Sequence, residues 1–243
     1  MSILFLLLQG FWLWMLIDCL KNDSQRNAWL YVLIFANFAG AIAYFVVCKL
    51  PYLPISTPGF FKQWTKKDLL WSARAEAHNI GNAHQYIKLG NILLEIDRLD
   101  EAESAYKQAL AKEPNNLYAL WGTATIALQR QNYQEAKIDL QTIYNLEPDF
   151  KFGEASLAYG QTLYNLQEWD LAKNHLEQDI KRWSHPDAYL MLATIEQQNQ
   201  NIQTAINYLE TMLFKVKAAP AFHYRKNSRL IGKAEKMLRT LKR

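Results

Sequence analysis

Residues 86–114 read YIKLGNILLEIDRLDEAESAYKQALAKEP, and this stretch decides the fold. Tyr86, Leu89, Gly90 and Leu93 come first, then Ala102, Tyr106 and Ala109, then Pro114. The small residue that opens the second half recurs at Ala102, Ala136, Ala172 and Ala205, in steps of 34, 36 and 33 residues. The series Gly90, Ala124, Gly160, Ala193 keeps the same steps, and so does Tyr106, Leu140, Leu176, Leu209. A fixed period of this size marks a stack of supersecondary units. The spacing predicts two helices per unit, with small residues where the pair comes closest and large residues three and four places away filling the gaps. Turns are expected at Arg98-Leu99, Asn132-Tyr133, Glu168-Trp169 and Asn201-Ile202, two of them helped by the left-handed tolerance of Asn. Pro114, Pro148 and Pro186 stop a second helix or open the next unit. One hairpin cannot bury its apolar face alone; its neighbours do so.

These residues resemble the tetratricopeptide (TPR) family over a little more than half of the chain. The third unit departs by two extra residues after Pro148, with its closing Pro displaced to Pro186, and the fourth lacks a closing Pro. The expected fold class is all-α: an N-terminal transmembrane helical hairpin (1–49), a Pro-rich linker (50–65), a lead-in helix (66–82), an α-solenoid of about four hairpins (83–219) and a basic amphipathic capping helix (220–243). The four units span 83–116, 117–150, 153–185 and 186–219.

Charge is distributed unevenly along the 243 residues. Residues 1–82 hold seven Lys/Arg against four Asp/Glu, residues 83–214 hold ten against 18, and residues 215–243 hold ten against one. An acidic array thus lies between two basic ends. The two cysteines, Cys19 and Cys48, sit in or beside apolar runs and form no disulfide framework.

Residues 2–20 (SILFLLLQGFWLWMLIDCL) carry no charge before Asp18, and residues 28–48 (AWLYVLIFANFAGAIAYFVVC) carry none. About 20 apolar residues cross a bilayer as a helix. The first run lacks the basic start and small-residue cleavage site of a signal peptide. The polar stretch 18–27 is short, so an antiparallel membrane hairpin is expected. Folding back near Asp23 sets Gln9 and Asn37 at one depth, where their amides are expected to bond across the helices or to a facing backbone group. Ala36, Gly40, Ala39 and Ala43 flatten one side of the second helix. The same geometry sends Cys19 and Cys48 to opposite membrane faces. Trp14, Ile17, Asp18, Cys19, Leu20 and Lys21, with Gly40 and Tyr44, resemble the amino-terminal hairpin of the phospholipase D/cardiolipin synthase group. That group commonly has Pro where this chain has Asn37. The resemblance implies an anchor without the lipase chemistry, because no histidine opens a His-x-Lys-x4-Asp motif. Lys49, Lys62, Lys66 and Lys67 outnumber Lys21 and Arg26, which favours a cytoplasmic array on a bacterial inner membrane.

The linker holds Pro51, Pro54, Pro58 and Gly59, with Tyr52, Phe60, Phe61 and Trp64 suited to a lipid–water boundary or to packing on the first repeat. Thr65 and Asp68 form a candidate capping box for a helix through about Ala77. The TPR resemblance implies a concave face lined by the first helices, where partners bind. That face would show His84, Ile87, Asn91 and Glu95, then Tyr118, Trp121, Thr125 and Gln129, then Leu157, Gln161 and Tyr164, and finally Leu190, Thr194 and Gln198. Trp121 and Tyr118 are the expected anchors for a peptide or helix of a protein partner; the competing reading packs Trp121 between repeats. Asn91 matches one place of a terminal-carboxylate clamp, but Ile87, Glu154 and Ala158 stand where that clamp wants cations.

Beyond Arg225 the apolar residues Leu230, Ile231, Ala234, Met237, Leu238 and Leu241 share one helix face. The other face carries Arg229, Lys233, Lys236 and Arg239, a solvated surface or a match for anionic lipid or an acidic partner; nucleic acid ranks last. No enzyme, metal or cofactor signature is present: the five histidines show no metal spacing and no Gly-rich phosphate loop precedes a helix. The expected function is a non-enzymatic, membrane-anchored adaptor that binds protein through its groove, in assembly of a membrane or envelope complex. The alternative is a lipid-linked regulator using the hairpin and the basic helix.

Overall fold

The structure, a computed structural model, describes residues 3–22, 26–49 and 66–242. All regular elements among them are helical. The linker expected at 50–65, including Tyr52, Phe60, Phe61, Trp64 and the capping Thr65, lies outside the described residues. The chain divides into two compact units, one of residues 56–200 and the other of residues 1–55 with 201–243.

The first unit begins with α4 (Lys67–Ile80), which stops at Gly81 in the left-handed region (φ 67°). Then come α5 (Ala83–Glu95), α6 (Leu99–Lys112), α7 (Leu117–Gln129), α8 (Tyr133–Leu146), α9 (Glu154–Asn165), α10 (Trp169–Arg182) and α11 (Pro186–Gln198). Each packs on the next in sequence, and α5 also packs on α7 and α9 on α11. First helices therefore meet in pairs, α5 with α7 and α9 with α11. The small series Ala102, Ala136 and Ala172 is wholly buried, as is the large series Tyr106, Leu140 and Leu176. A Cβ on Gly160 would meet the Leu176 side chain, so close approach is what this position requires.

Each hairpin turns on one left-handed residue: Asp97 (φ 64°), Gln131 (φ 58°), Gln167 (φ 61°) and, at the end of α11, Gln200 (φ 62°). These residues repeat with the period of the core. At the first turn Asp97 N–H donates to Leu94 and Arg98 N–H to Leu93, and the next two turns repeat the pair. This is the crossed bonding that satisfies a helix's last carbonyls. The expected turns therefore begin one residue earlier. Asn132 does not supply the left-handed residue; it caps α8, its side chain accepting from Glu135 N–H at 3.4 Å.

The second unit contains α1 (Ile3–Asn22), α2 (Arg26–Phe35), α3 (Asn37–Cys48), α12 (Ile202–Ala218), α13 (Ala221–Lys226) and α14 (Ser228–Leu241). The expected fourth hairpin, 186–219, is thus divided, with α11 in one unit and α12 in the other. The expected second membrane helix is not continuous. Asn37 adopts φ 48° and the chain folds back on itself, α2 packing on α3. A Cβ on Gly40 would lie 2.9 Å from the Val32 carbonyl carbon, so only glycine admits this fold-back. Trp12 Nε1 donates to the Leu33 carbonyl at 2.8 Å, tying α1 to α2. Lys49 consequently returns to the end of α1 where Asp18 stands, at 2.6 Å, and Tyr44 Oη donates to the same carboxylate at 3.1 Å. Cys19 and Cys48 are both buried in this cluster, not sent to opposite faces. Among the described residues no helix is long and apolar enough to cross a membrane.

The expected capping helix is two helices, α13 and α14. Ile231 and Ala234 are buried as α14 packs on α12, and Lys217–Glu235 (3.0 Å) and Lys242–Glu210 (2.6 Å) flank the contact.

Candidate groove and its aromatic ledge

The first helices are started by side chains that satisfy their leading N–H groups. Asn82 accepts from Gln85 N–H at 3.2 Å, and Asn116 accepts from Tyr118 and Ala119 N–H at 3.1 and 3.3 Å. The second cap fixes where Tyr118 emerges. Between α5 and α7 sits the fully buried Tyr106 ring, crowded by two glycines: a Cβ on Gly90 would lie 2.7 Å from Cε1, and one on Gly122 2.5 Å. The Tyr106 hydroxyl donates to Asn91 Oδ1 at 2.7 Å, and burial pushes its pKa up.

The fourteen expected groove residues all lie on first helices, but they are not equally available; Gln198 is exposed at the end of α11. His84, Asn91, Tyr118 and Gln129 are exposed, as is Glu95. Trp121, Thr125, Leu157, Gln161, Tyr164, Leu190 and Thr194 are half-buried. Ile87 is a correction: it is buried in the core of the first hairpin, because its position faces Tyr106 and its neighbours. Asn91 is occupied by Tyr106. Tyr164 packs edge-on against Trp169 at 5.3 Å, and Thr125 and Thr194 direct their hydroxyls to the backbone of Trp121 and Leu190. Tyr118 stays open, 61% exposed.

Trp121 is neither free nor packed away. Phe150, itself buried, meets it edge-on at 6.4 Å and meets Tyr118 at 5.3 Å, while Lys151 Nζ lies 5.7 Å from the Trp121 ring centroid. Phe150 and Lys151 belong to a 3-10 turn, Phe150–Gly153, formed by the stretch that carries the two extra residues of the third repeat. Lys151 (φ 51°), Phe152 (φ 56°) and Gly153 (φ 83°) are left-handed in succession. For non-glycine residues this costs on the order of 1–2 kcal/mol each. Gly153 is required twice over, by its φ and because Trp183 would lie 2.6 Å from a Cβ there. Asp149 pairs with Arg182 beside the turn. The outcome is that Phe152 stands 85% exposed, two residues beyond the Phe150 that meets Tyr118 and Trp121. The sequence signal was the two-residue insertion; its display of Phe152 was not read from it.

A buried polar cluster joins α9, α10 and the start of α11. Ser156 Oγ donates to Asp179 Oδ1 at 3.1 Å and lies 3.2 Å from His175 Nε2. His185 Nδ1 lies 2.8 Å from Asp179 Oδ2. A serine hydrolase has these residue types, but its base must accept the serine proton while the acid orients the base. Here His175 Nε2 lies 2.9 Å from the Ser156 carbonyl, an acceptor only, so that nitrogen carries the proton and cannot be the base. Ser156, His175 and Asp179 are also buried from substrate. Burial foremost holds the His175 pKa below its ordinary value. The cluster is a latch between hairpins. Among the described residues no group of His, Cys, Asp and Glu could hold a metal.

In the other unit the intramembrane pair does not form. Asn37 is exposed at the fold-back, Gln9 is half-buried on α1, and no hydrogen bond joins them. Asn37 is used for its left-handed backbone instead. Of the basic face, Arg229, Lys233, Lys236 and Arg239 are all exposed on α14.

Residues 87–143 match the model of the tetratricopeptide repeat family. Residues 10–47 match that of the phospholipase D-nuclease N-terminal family. The array is a tetratricopeptide-repeat fold. Among similar solved structures are YrrB, described as a TPR protein with an unusual peptide-binding site (20% identity, 69% of this chain and 84% of that one, TM-score 0.52). MamA is another (19%, 66% and 95%, 0.56), as is PilF of Pseudomonas aeruginosa (15%, 75% and 84%, 0.54). No curated protein matches the chain. At these identities the TPR likeness is one of fold.

Proposed function

We propose that this chain is a non-catalytic adaptor whose TPR groove holds a segment of another protein, and whose N-terminal helices keep it at a membrane. The aromatic ledge carries the reading. Large apolar side chains are rarely held in the open by a costly backbone unless something covers them; Tyr118 is open one turn from Trp121, and Phe152 is open two residues beyond the Phe150 that meets both. Aromatic residues dominate binding energy at protein interfaces. The rest of the row offers amides and hydroxyls, which suits an uncharged or apolar segment.

The membrane part of the reading rests on α1–α3. Their outward side chains include Leu13, Trp14, Ile17, Ile34, Phe35, Ile42, Val46 and Val47. Asp18 and Lys49 meet at one end, and Phe35 and Asn37 mark the other end of the α2–α3 pair. We infer a wedge inserted from one leaflet, its charged end at the headgroups. The end of α1, the start of α2 and Lys49 then share one side, so the count of cations across two faces no longer decides orientation.

Affinity capture from detergent extracts tests the adaptor. Wild type is expected to retain a defined protein that Phe152→Ala and Tyr118→Ala each release. An identical captured set from all three would sink the groove reading. The lipid-linked alternative is favoured by one observation only, the exposed cations Arg229, Lys233, Lys236 and Arg239 on α14.

A further inference from the structure

Residues 215–243, with ten Lys/Arg against one Asp/Glu, concentrate positive charge in the unit that also holds α1–α3. Five of those cations, Lys226, Arg229, Lys233, Lys236 and Arg239, follow one another at steps of three and four residues, and all are exposed. That spacing puts them on one side of α14 and of the turn before it. Ile231 and Ala234, on the opposite side, are buried as α14 packs on α12. Among the described residues none of the five pairs with a carboxylate. The acids within reach of α14 serve other cations, Glu235 pairing with Lys217 at 3.0 Å and Glu210 with Lys242 at 2.6 Å. Phe222, exposed on α13, precedes Lys226 by one turn. The stripe also starts at the charged end of the α1–α3 wedge: Ser228 and Arg229, the first two residues of α14, line one cavity with Asp18, Tyr44 and Lys49.

We propose that the outer side of α14 lies on the anionic lipid surface beside the wedge. Cations near such a surface are each attracted to it, and an aromatic ring suits its boundary. The five cations extend over about 20 Å of helix at 1.5 Å per residue. A headgroup layer meets a row of that length without any matching register, whereas an acidic protein would have to supply one. The unit is then held by two contacts of different kinds, apolar α1–α3 within the bilayer and α14 along its headgroups. A wedge alone leaves the unit free to rotate about the membrane normal and to tilt; the second contact fixes its tilt. The inference rests on the membrane reading of α1–α3, and the groove plays no part in it.

The test places the full chain in nanodiscs of phosphatidylcholine alone or of phosphatidylcholine mixed with phosphatidylglycerol, both carrying a headgroup-spin-labelled phosphatidylcholine as quencher. A fluorescent amino acid replaces Gly232, which lies within the stripe and where a Cβ would meet nothing within 4 Å. The label is expected to be quenched at least about threefold more in the phosphatidylglycerol discs, and to lose that difference in about 1 M salt, where charges are screened within about 3 Å. Lys233→Gln/Lys236→Gln/Arg239→Gln is expected to bring quenching down to the phosphatidylcholine level. Lys67→Gln/Lys112→Gln/Lys181→Gln removes the same charge from exposed positions of the other unit and is expected to change quenching less than about 1.5-fold. Circular dichroism verifies that each variant is helical. Equal quenching in the two kinds of disc, or equal losses in the two triple variants, overturns the proposal. So does a label unquenched in either disc while the stripe variant releases a captured protein, which assigns the stripe to an acidic partner. A chain that fails to co-elute with discs at all refutes the membrane reading itself and this proposal with it.

Discussion

Tyr106 offers the sharpest test of how the array is packed. Gly122→Ala places a methyl group within 2.5 Å of Tyr106 Cε1, where carbon atoms normally sit about 3.5–4.0 Å apart. The ring is poorly placed to retreat: Gly90 crowds it 2.7 Å from the same atom, and its hydroxyl is bonded to Asn91. Overpacking costs about 1–3 kcal/mol, and an overlap this deep belongs at the upper end. Replacing Gly by Ala inside a helix returns about 1 kcal/mol. The net loss for Gly122→Ala is therefore about 2 kcal/mol. Tyr106→Leu installs the residue type that Leu140, Leu176 and Leu209 supply in the other repeats. It removes the obstacle at its own cost, and in that background Gly122→Ala is expected to stabilise by about 1 kcal/mol. The coupling between the two changes is then about 3 kcal/mol. Chemical denaturation of the full chain in detergent, followed by helical circular dichroism on all four proteins, measures it. Additive effects, within about 0.5 kcal/mol, would refute the packing argument.

Other consequences are more local. Gln131 adopts φ 58° without glycine's freedom, so Gln131→Gly is expected to raise stability by about 0.5–1 kcal/mol, and a lower denaturation midpoint would contradict the turn assignment. Gly153→Ala combines positive φ with the Trp183 ring and is expected to cost at least about 2 kcal/mol, read from the same melts. His175 has a folded pKa below its ordinary 6.5, with burial the main cause. The unfolded chain therefore binds a proton below about pH 6.5 that the folded chain refuses, so this contribution is intact above that pH and is lost as pH falls toward the folded value. Urea midpoints at pH 7.5 and 5.5 should differ more for wild type than for His175→Gln. Phe152→Ala should leave stability within about 0.5 kcal/mol of wild type while releasing the captured partner; a large loss of stability would mean that Phe152 serves the fold.

The array was legible because its period repeats in three kinds of residue at once, and each kind answers a different packing need. The left-handed turn residues keep the same period, yet Gln131 and Gln167 escaped notice because their side chains are not those that favour such a backbone, and Asp97 because a carboxylate there reads as favouring the start of the next helix. Asn132 drew attention as a turn former and proved to be a cap, since one amide suits both tasks. Asn37 misled for the opposite reason. In an unbroken apolar run an amide reads as one seeking a partner, whereas its left-handed tolerance is what the chain uses. The related hairpins commonly have Pro at that place, and Pro and left-handed Asn share the property of interrupting a helix. Ile87 looked like a groove residue by register alone, but at that position the first hairpin's core closes over it.

The central claim is that the ledge at Tyr118 and Phe152 is the face that holds another protein. A photoreactive amino acid placed singly at Phe152, at Tyr118 and at Ile138, an exposed position on the second helix α8, tests it in intact cells. The account expects a discrete protein adduct from 152 and 118 and none from 138. Adducts of equal yield at all three positions, or from 138 alone, would contradict it.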